Sequence, residues 1–307
     1  MKKQSIIVFI ILVCAQSLFG IHEDAGTKAF QFLKVPIGPR GIAMGSAYQG
    51  LSNDELAPFW NAAGLPQIHD MRLSVTYLNY FVGYNGGGAS FLLPLAEDAT
   101  LGIFSKFAGA GDFIKTNPEG EEIGEFGSYD VLLGVSYGKV QSEILNWGIN
   151  VKIISETIDD YSSQAIAADV GILHQTPNPN LKIGLVAKNL GQQISKFDQK
   201  TEELPIFFAL GFAYSLNNGF ITVDINKPMD GDFYGTFGVE VSVREDLKLR
   251  GGYSTNAGDW NVGSDIDFLS GITAGLGFAW QQYHFDYAIC SYGELGFVHQ
   301  LAVRYAF

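Results

Sequence analysis

Apolar and polar residues alternate with a period of two along most of the chain after residue 70. Ile149 and Val151 fall on one side of one such segment, while Asn150 and Lys152 fall on the other. Successive side chains of a β-strand point to opposite faces, so each segment predicts a strand with one apolar and one polar or small face. Fourteen such segments begin near Arg72, Gly87, Thr100, Phe126, Asn146, Gln164, Leu181, Leu204, Gly219, Phe233, Leu247, Ser270, Tyr283 and Val298.

The connections between these segments differ in length in a regular way. Long loops are predicted over 108–125, 189–203 and 256–269, and tight turns at 217–219, 245–246 and 281–282. A membrane β-barrel has long outer loops and short periplasmic turns, whereas a soluble β-sandwich has no reason to sort its loops by length. The pattern therefore favours an all-β fold: a transmembrane antiparallel β-barrel of about 14 strands over residues 71–307.

The last segment is amphipathic and ends on an aromatic residue. Leu301, Val303, Tyr305 and Phe307 share one face. A final strand that ends in this way resembles the sorting signal read by the bacterial barrel-assembly machinery, although a soluble protein could also bury such a strand. We predict that Tyr305 and Phe307 form an assembly signal and that the assembly machinery is a partner.

The first twenty residues predict export from the cytoplasm. Lys2 and Lys3 precede an unbroken apolar run over residues 6–15, which is too short to span a bilayer as a helix. A lipoprotein signal would need a small residue before Cys14, where this chain has Val13. We therefore predict a signal peptide over residues 1–20, with cleavage near Gly20.

Composition narrows the class of protein further. Charged residues make up 17 % of the chain, below the roughly 25 % of soluble domains, and 37 residues are glycine. The net charge of −13 argues against nucleic-acid binding, because phosphate backbones would repel the protein. The five histidines have no metal-ligand spacing, and no nucleophile is assembled with a base. We expect no enzyme activity, no metal and no cofactor.

If the apolar strand faces meet lipid, the charged residues on the opposite faces line the lumen. Both signs occur together, which indicates ion pairs that brace the interior rather than a filter for one kind of ion. The predicted lumen charges are Lys152, Glu156, Asp169, Lys188, Asp224, Glu240, Arg244, Arg250, Asp286 and Arg304.

Residues 21–70 lack this alternation and predict a plug, or hatch, folded into the lumen. Their motifs are IGPRGIAMG at 37–45, ND at 53–54 and FWNAAGL at 59–65. Together with KNLG at 188–191, LRGGY at 249–253 and GELGFVH at 293–299, they resemble the PorV/PorQ family of outer-membrane proteins. The resemblance extends over residues 30–307.

The resemblance implies a fold related to the FadL-type fatty-acid channel, a barrel with an N-terminal hatch. The hatch residues that it implies are Arg40, Met44, Gly45, Asp54, Trp60, Asn61 and Gly64. An Asn-Pro-Ala triplet marks the hatch in that superfamily, and here alanine replaces the proline at position 62, so the fixed φ of proline is lost. Packing, with Trp60 as an anchor and Arg40 paired with Asp54, is an alternative to ligand contact.

Two functions remain open for this outer-membrane protein. PorV-type proteins act in type IX secretion, which would make secreted cargo and secretion-system proteins the partners. A FadL-like channel would instead carry hydrophobic small molecules such as fatty acids. A purely structural wall protein is a third alternative. Outer-membrane lipid is a partner in every case.

Overall fold

The computed structural model describes residues 26–81, 83–197, 201–260 and 263–307. The predicted signal peptide, residues 1–20, lies outside the described residues, as do residues 21–25 of the predicted hatch. No helix in the described ranges has the length and hydropathy needed to cross a membrane.

Fourteen antiparallel strands close into one barrel, in which each strand pairs with its neighbours in sequence and β1 pairs with β14. This confirms the predicted fold class. The strands are β1 (Arg72–Asn79), β2 (Asn85–Ala96), β3 (Ala99–Thr116), β4 (Glu122–Ser142), β5 (Leu145–Ile158), β6 (Tyr161–Gln175), β7 (Leu181–Ser195), β8 (Phe207–Leu216), β9 (Gly219–Pro228), β10 (Tyr234–Ser242), β11 (Leu247–Ser254), β12 (Ile272–Trp280), β13 (Tyr283–Ser291) and β14 (Phe297–Ala306).

The strands present apolar residues outward and polar or small residues inward. On β5, Val151 is 49 % exposed and Lys152 is 4 % exposed. The same alternation of exposed and buried residues runs along β6 and β14. A lipid-facing wall needs this pattern, because the hydrocarbon of the bilayer replaces water on the outer face.

The connections are short at one end of the barrel, and two of the predicted long loops begin too early. Strand β7 continues to Ser195, inside the loop predicted over 189–203. Residues 108–125 are mostly strand, because β3 continues to Thr116 and β4 begins at Glu122. The pair Phe113 and Phe126 packs across this hairpin, with ring centroids 5.4 Å apart. This stretch is rich in acidic and glycine residues, which are typical of loops, yet backbone pairing holds it as an extension of the wall. The long connection over 255–271 is observed and contains two 3₁₀ helices, Thr255–Trp260 and Asp267–Leu269.

Residues 29–68 lie inside the barrel and are almost wholly buried. They form two short helices, α1 (Pro39–Ala43) and α2 (Ala57–Trp60), and the 3₁₀ helices Gln31–Lys34 and Ala62–Gln67; a further 3₁₀ turn, Gly293–Leu295, precedes β14. Proline at the first position of α1 fits, because that residue has no amide hydrogen bond to lose. Gly45 ends the α1 turn at φ +66°, where a Cβ atom would collide with the backbone of Phe237 and Tyr253.

Candidate functional site

Four charged residues on the inner wall form a row of alternating sign. Arg250 on β11 donates to Glu240 on β10, with Nε 2.6 Å from Oε2, and to Asp286 on β13, with Nη1 2.5 Å from Oδ1. Arg304 on β14 donates to the other oxygen of Asp286 over 2.7 Å. Strand β12 lies between β11 and β13 and contributes Gly277, whose Cβ, if present, would lie 2.6 Å from Arg250 and 2.7 Å from Asp286. A glycine here lets the two side chains meet across a strand.

The hatch closes this row into a ring. Arg40 forms two 2.8 Å hydrogen bonds with the carboxylate of Glu240, and its Nη1 lies 3.3 Å from Oδ2 of Asp54. Arg304 Nη1 lies 3.7 Å from Asp54 and donates to Glu55 over 2.8 Å. We call the six residues Arg40, Glu240, Arg250, Asp286, Arg304 and Asp54 the charge ring.

Every member of the charge ring is buried and has an oppositely charged partner on each side. Tyr48 supports it by donating its hydroxyl to Asp54 over 2.8 Å. Burial raises the pKa of Tyr48 well above its ordinary value, so this hydroxyl keeps its proton. Charges taken out of water are tolerated when they are paired and hydrogen-bonded. Every ring member is paired, and among the described residues Arg250 Nη2 is buried without a hydrogen-bond partner.

The structure thus brings six predicted residues into one network: Arg40 and Asp54 from the hatch, and Glu240, Arg250, Asp286 and Arg304 from the wall. Sequence reasoning missed Glu55, which pairs with Arg304 and lies 3.3 Å from Arg72. Its position directly after Asp54, in a segment predicted to enter the lumen, is the signal that could have identified it.

A second cluster lies on β5, β6 and β7. Lys152 Nζ lies 2.5 Å from Asp169 Oδ1 and 2.6 Å from the side-chain oxygen of Asn189. Asn189 has a φ of +60° at a register shift between β6 and β7, and its amide donates to Asp169 over 2.7 Å. Asn150 links this cluster to the hatch by donating to the carbonyl oxygen of Pro58 over 2.9 Å. The predicted lumen charges Lys152 and Asp169 therefore form a buried pair.

Three further predicted charges contact the hatch. Asp224 accepts hydrogen bonds from the amides of Tyr48 and Gln49, over 2.9 and 3.0 Å. Glu156 accepts from the amide of Phe30 over 3.0 Å. Lys188 donates to the carbonyl oxygen of Phe59 over 2.9 Å.

The prediction of a lumen position is wrong for Arg244. This residue lies in the turn between β10 and β11, with its side chain 70 % exposed and paired with Asp246 over 2.9 Å. The alternation of apolar and polar residues continues past Ser242, where β10 ends, so the pattern alone did not mark the end of the strand.

The remaining predicted hatch residues pack the segment against itself and the wall. Met44 is fully buried, and Trp60 packs edge-on against Tyr48 with ring centroids 5.6 Å apart. The side chain of Asn61 accepts from the amide of Ala63 and donates to the carbonyl oxygen of Ile172 on β6. Gly64 lies against the backbone of Ser52, where a Cβ would collide. Their observed contacts are structural, and a role in gating stays a prediction.

A cavity of about 1510 Å³ lies between the hatch and the barrel end that carries the long connections. Aromatic and aliphatic side chains of the hatch and wall line it, among them Val35, Phe59, Trp60, Phe104 and Phe207.

At its mouth Tyr80, Phe81 and Tyr292 pack edge to face. Burial raises the pKa of Tyr84, whose hydroxyl donates to Asp130. Concave, mostly apolar sites with a few polar groups are typical of small-molecule binding. Sequence reasoning did not identify Tyr84, Asp130 or the lining residue Lys106.

The aromatic residues at the end of β14 lie in a row on the outer face. The rings of Tyr305 and Phe307 are 4.8 Å apart, and Tyr305 lies 4.9 Å from Tyr283 on β13. Phe307 also packs against Phe91 on β2, at 6.2 Å. Aromatic girdles of this kind occupy the interfaces of membrane barrels. The role of Tyr305 and Phe307 as an assembly signal stays a prediction.

Comparison with known proteins defines the class. No family model and no curated protein matches the sequence. Among solved structures, the Pseudomonas putida toluene transporter TodX has a TM-score of 0.62 at 13 % identity, over 88 % of this chain and 98 % of that chain. The monoaromatic hydrocarbon channel CymD has a TM-score of 0.65 at 11 % identity, over 89 % and 98 %. A Pseudomonas aeruginosa FadL homologue has a TM-score of 0.59 at 11 % identity, over 88 % and 98 %.

The chain is a fourteen-stranded β-barrel of the bacterial outer membrane. Its fold is that of the FadL-type channels. At 11–13 % identity, the similarity to these structures establishes the fold alone. The narrower assignment to the PorV/PorQ family, and the secretion role that goes with it, stay predictions.

Proposed function

We propose that the protein is an outer-membrane channel for hydrophobic small molecules and that the cavity above the hatch is where they bind. The observation that carries the proposal is the cavity itself, about 1510 Å³ and lined mainly by apolar and aromatic side chains. The named neighbours, a toluene transporter and a monoaromatic hydrocarbon channel, support it. The proposed entry is the end with the long connections, which faces outward in outer-membrane barrels.

A matched pair of substitutions on β14 tests this proposal. Val298 is buried and lines the cavity, whereas Val303 on the same strand is 45 % exposed and faces lipid. Val298→Trp would fill the cavity, and Val303→Trp would add the same side chain to the lipid face. We expect the purified Val298→Trp protein to lose binding of an apolar fluorescent probe and the Val303→Trp protein to keep it. Equal binding by the two variants would contradict the proposal.

We also propose a secretion accessory of the PorV type as a second candidate. The observation that favours it is the hairpin of β3 and β4, which continues past its neighbours: β2 pairs with β3 only as far as Gly109, and β5 pairs with β4 only from Ser128. Ile114 and Ile123 on this extension are each 58 % exposed, which suits a protein contact.

Affinity purification from outer membranes tests the second candidate. The full chain is compared with a variant in which residues 112–126 are replaced by a short Gly-Ser turn. Secretion-system or cargo proteins that co-purify with the full chain and not with the shortened one would support a secretion role. Recovery of the same proteins with both would count against this hairpin as the contact.

A further inference from the structure

Three hydrogen-bond donors on the inner wall, at the end that carries the short turns, lack a partner among the described residues. Nη2 of Arg250 is buried and unpartnered, although Nε and Nη1 of the same guanidinium bind Glu240 and Asp286. Lys248 on β11 and His284 on β13 are half-buried, and within the described ranges neither side chain forms an ion pair or a hydrogen bond.

The register of three strands brings these donors together. Lys248 lies directly opposite Gly277 on β12. Nη2 of Arg250 lies over the same glycine, because a Cβ atom there would be 2.6 Å from it. His284 lies opposite Ala279, the next inward residue of β12. No side chain larger than a methyl group therefore rises from β12 between Lys248 and His284.

The carboxylates near Lys248 and His284 are already engaged. The charged groups that act on these two residues belong to the charge ring or are Glu55. The charge ring contains three cations and three anions, and each of its carboxylates contacts two arginines. Glu55 is balanced by Arg72. Lys248 therefore adds a positive charge that this network does not balance.

The two adjoining turns add no anion inside the lumen. In the turn between β10 and β11, Asp246 pairs with Arg244, and Glu245 is exposed to water. The turn between β12 and β13 consists of two glutamines. The positive charge of Lys248 thus stays uncompensated on the lumen side of the wall.

An oxyanion supplies what the three donors lack. A lysine ammonium group has three N–H donors, an imidazole ring has at least one, and Nη2 of an arginine has two. Hydrogen bonds to an ionised acceptor are roughly twice as strong as those between neutral groups. The oxygens of a tetrahedral anion point in several directions, so one phosphate ion can accept from all three residues.

We propose that Lys248, His284 and Nη2 of Arg250 form a binding site for a free phosphate ion at the periplasmic end of the lumen, where barrels of the outer membrane have their short turns. The ion compensates the charge of Lys248 and gives Arg250 its missing acceptor. Arg250 also binds Glu240, which holds Arg40 of the hatch, so the bound ion stabilises the seated hatch. This site does not depend on which molecule the barrel carries.

Calorimetric titration of the purified full-length mature protein in a non-ionic detergent tests the site. Sodium phosphate is added near neutral pH at an ionic strength held constant with sodium chloride, and we expect saturable binding of one ion per chain. Lys248→Met should weaken binding at least about tenfold, which is about 1.4 kcal/mol. Lys139→Met is the matched control and should keep the affinity, because Lys139 pairs with Asp98 outside the lumen.

Three results would overturn the proposal. The first is an absence of saturable phosphate binding by the unmodified protein. The second is an equal loss of affinity in both lysine variants, because a general charge effect would then explain the binding. The third is equal or tighter binding of glycerophosphoethanolamine, which carries the phosphodiester of a lipid head group and would exclude a site for the free ion.

Unfolding by denaturant distinguishes a lost contact from a damaged fold. A ligand that binds only the folded protein raises the free energy of unfolding as its concentration rises. The unfolding midpoint of the unmodified protein should therefore increase when phosphate replaces chloride, whereas the midpoint of Lys248→Met should not respond. An equal increase in both proteins would overturn the site, because phosphate would then act without Lys248.

Discussion

The two halves of the lumen treat buried charge differently. In the half that carries the short turns, each charge of the ring meets an opposite charge, and two of the six members belong to the hatch. In the half that carries the long connections, Lys152 and Asp169 form an ion pair, whereas Lys106 and Lys188 donate to carbonyl oxygens of the hatch and lie near aromatic rings. Hydrogen bonds between two charged groups are stronger than those to neutral carbonyl oxygens. The first arrangement explains a seated hatch, and the second lies beside the cavity in which we propose that ligands bind.

The largest effect that we expect concerns assembly, on which both halves depend. Phe307→Asp places a charge in the aromatic row where β14 ends and should prevent insertion, so the protein would be degraded in the periplasm. Ala306→Ser, one position away, should have little effect. Fractionation of cells that express each variant measures this. A normal outer-membrane yield of Phe307→Asp would exclude the assembly-signal role.

The second prediction concerns the charge ring. Arg250→Met leaves Glu240 and Asp286 buried with one partner fewer each and should lower the free energy of unfolding by about 3–5 kcal/mol. Denaturant unfolding of the refolded protein measures it, with Lys139→Met as a control that removes the same charge at the surface. A loss below about 1 kcal/mol would mean that the ring does not act as a unit.

The third prediction tests the assignment of the lipid-facing side of the wall. Val151→Arg puts a cation on the lipid face near the middle of β5 and should cost about 2–4 kcal/mol of folding free energy in a bilayer. Val151→Leu is the matched control and should change stability little. Comparable stability of the two variants in lipid vesicles would contradict the outward assignment of Val151.

The smallest expected effect sharpens the comparison between the halves. Lys188→Met removes a cation that has no carboxylate partner in the described ranges, so stability should stay within about 1 kcal/mol of wild type or rise. Replacing a buried charge by an apolar side chain of similar size is often neutral or stabilising when no opposite charge is stranded. A loss of unfolding free energy as large as that of Arg250→Met would show that Lys188 contributes as much to stability as the charge ring does.

The period of two was sufficient to predict the number of strands and the inward position of Glu240, Asp286 and Arg304. It could not predict the charge ring, because alternation indicates which face of the wall a residue lies on and not its position along the barrel axis. That position depends on the register of each strand pair, such as Glu240 opposite Arg250. The same limit explains Arg244, which keeps the alternation after its strand has ended.

The sequence pattern did not indicate how far β3 and β4 extend beyond the rest of the wall. The acidic, glycine-rich stretch over 108–125 was predicted as a loop, and Lys106, next to it, was not considered as a lumen residue. Lys106 is an inward residue of β3, whose alternation of buried and exposed positions ends at Ala110, where the register with β4 shifts and Asp112 has a φ of +60°.

The charge ring has a consequence for the order of folding. Arg40 and Glu240 are separated by 200 residues, and Glu55 and Arg304 by 249. The segment that is synthesised first therefore finds its partners on the strands that are synthesised last. Contacts of such long sequence separation form late, because the loop between them must be closed first. The hatch can therefore complete these ion pairs only after strands β10 to β14 are in place.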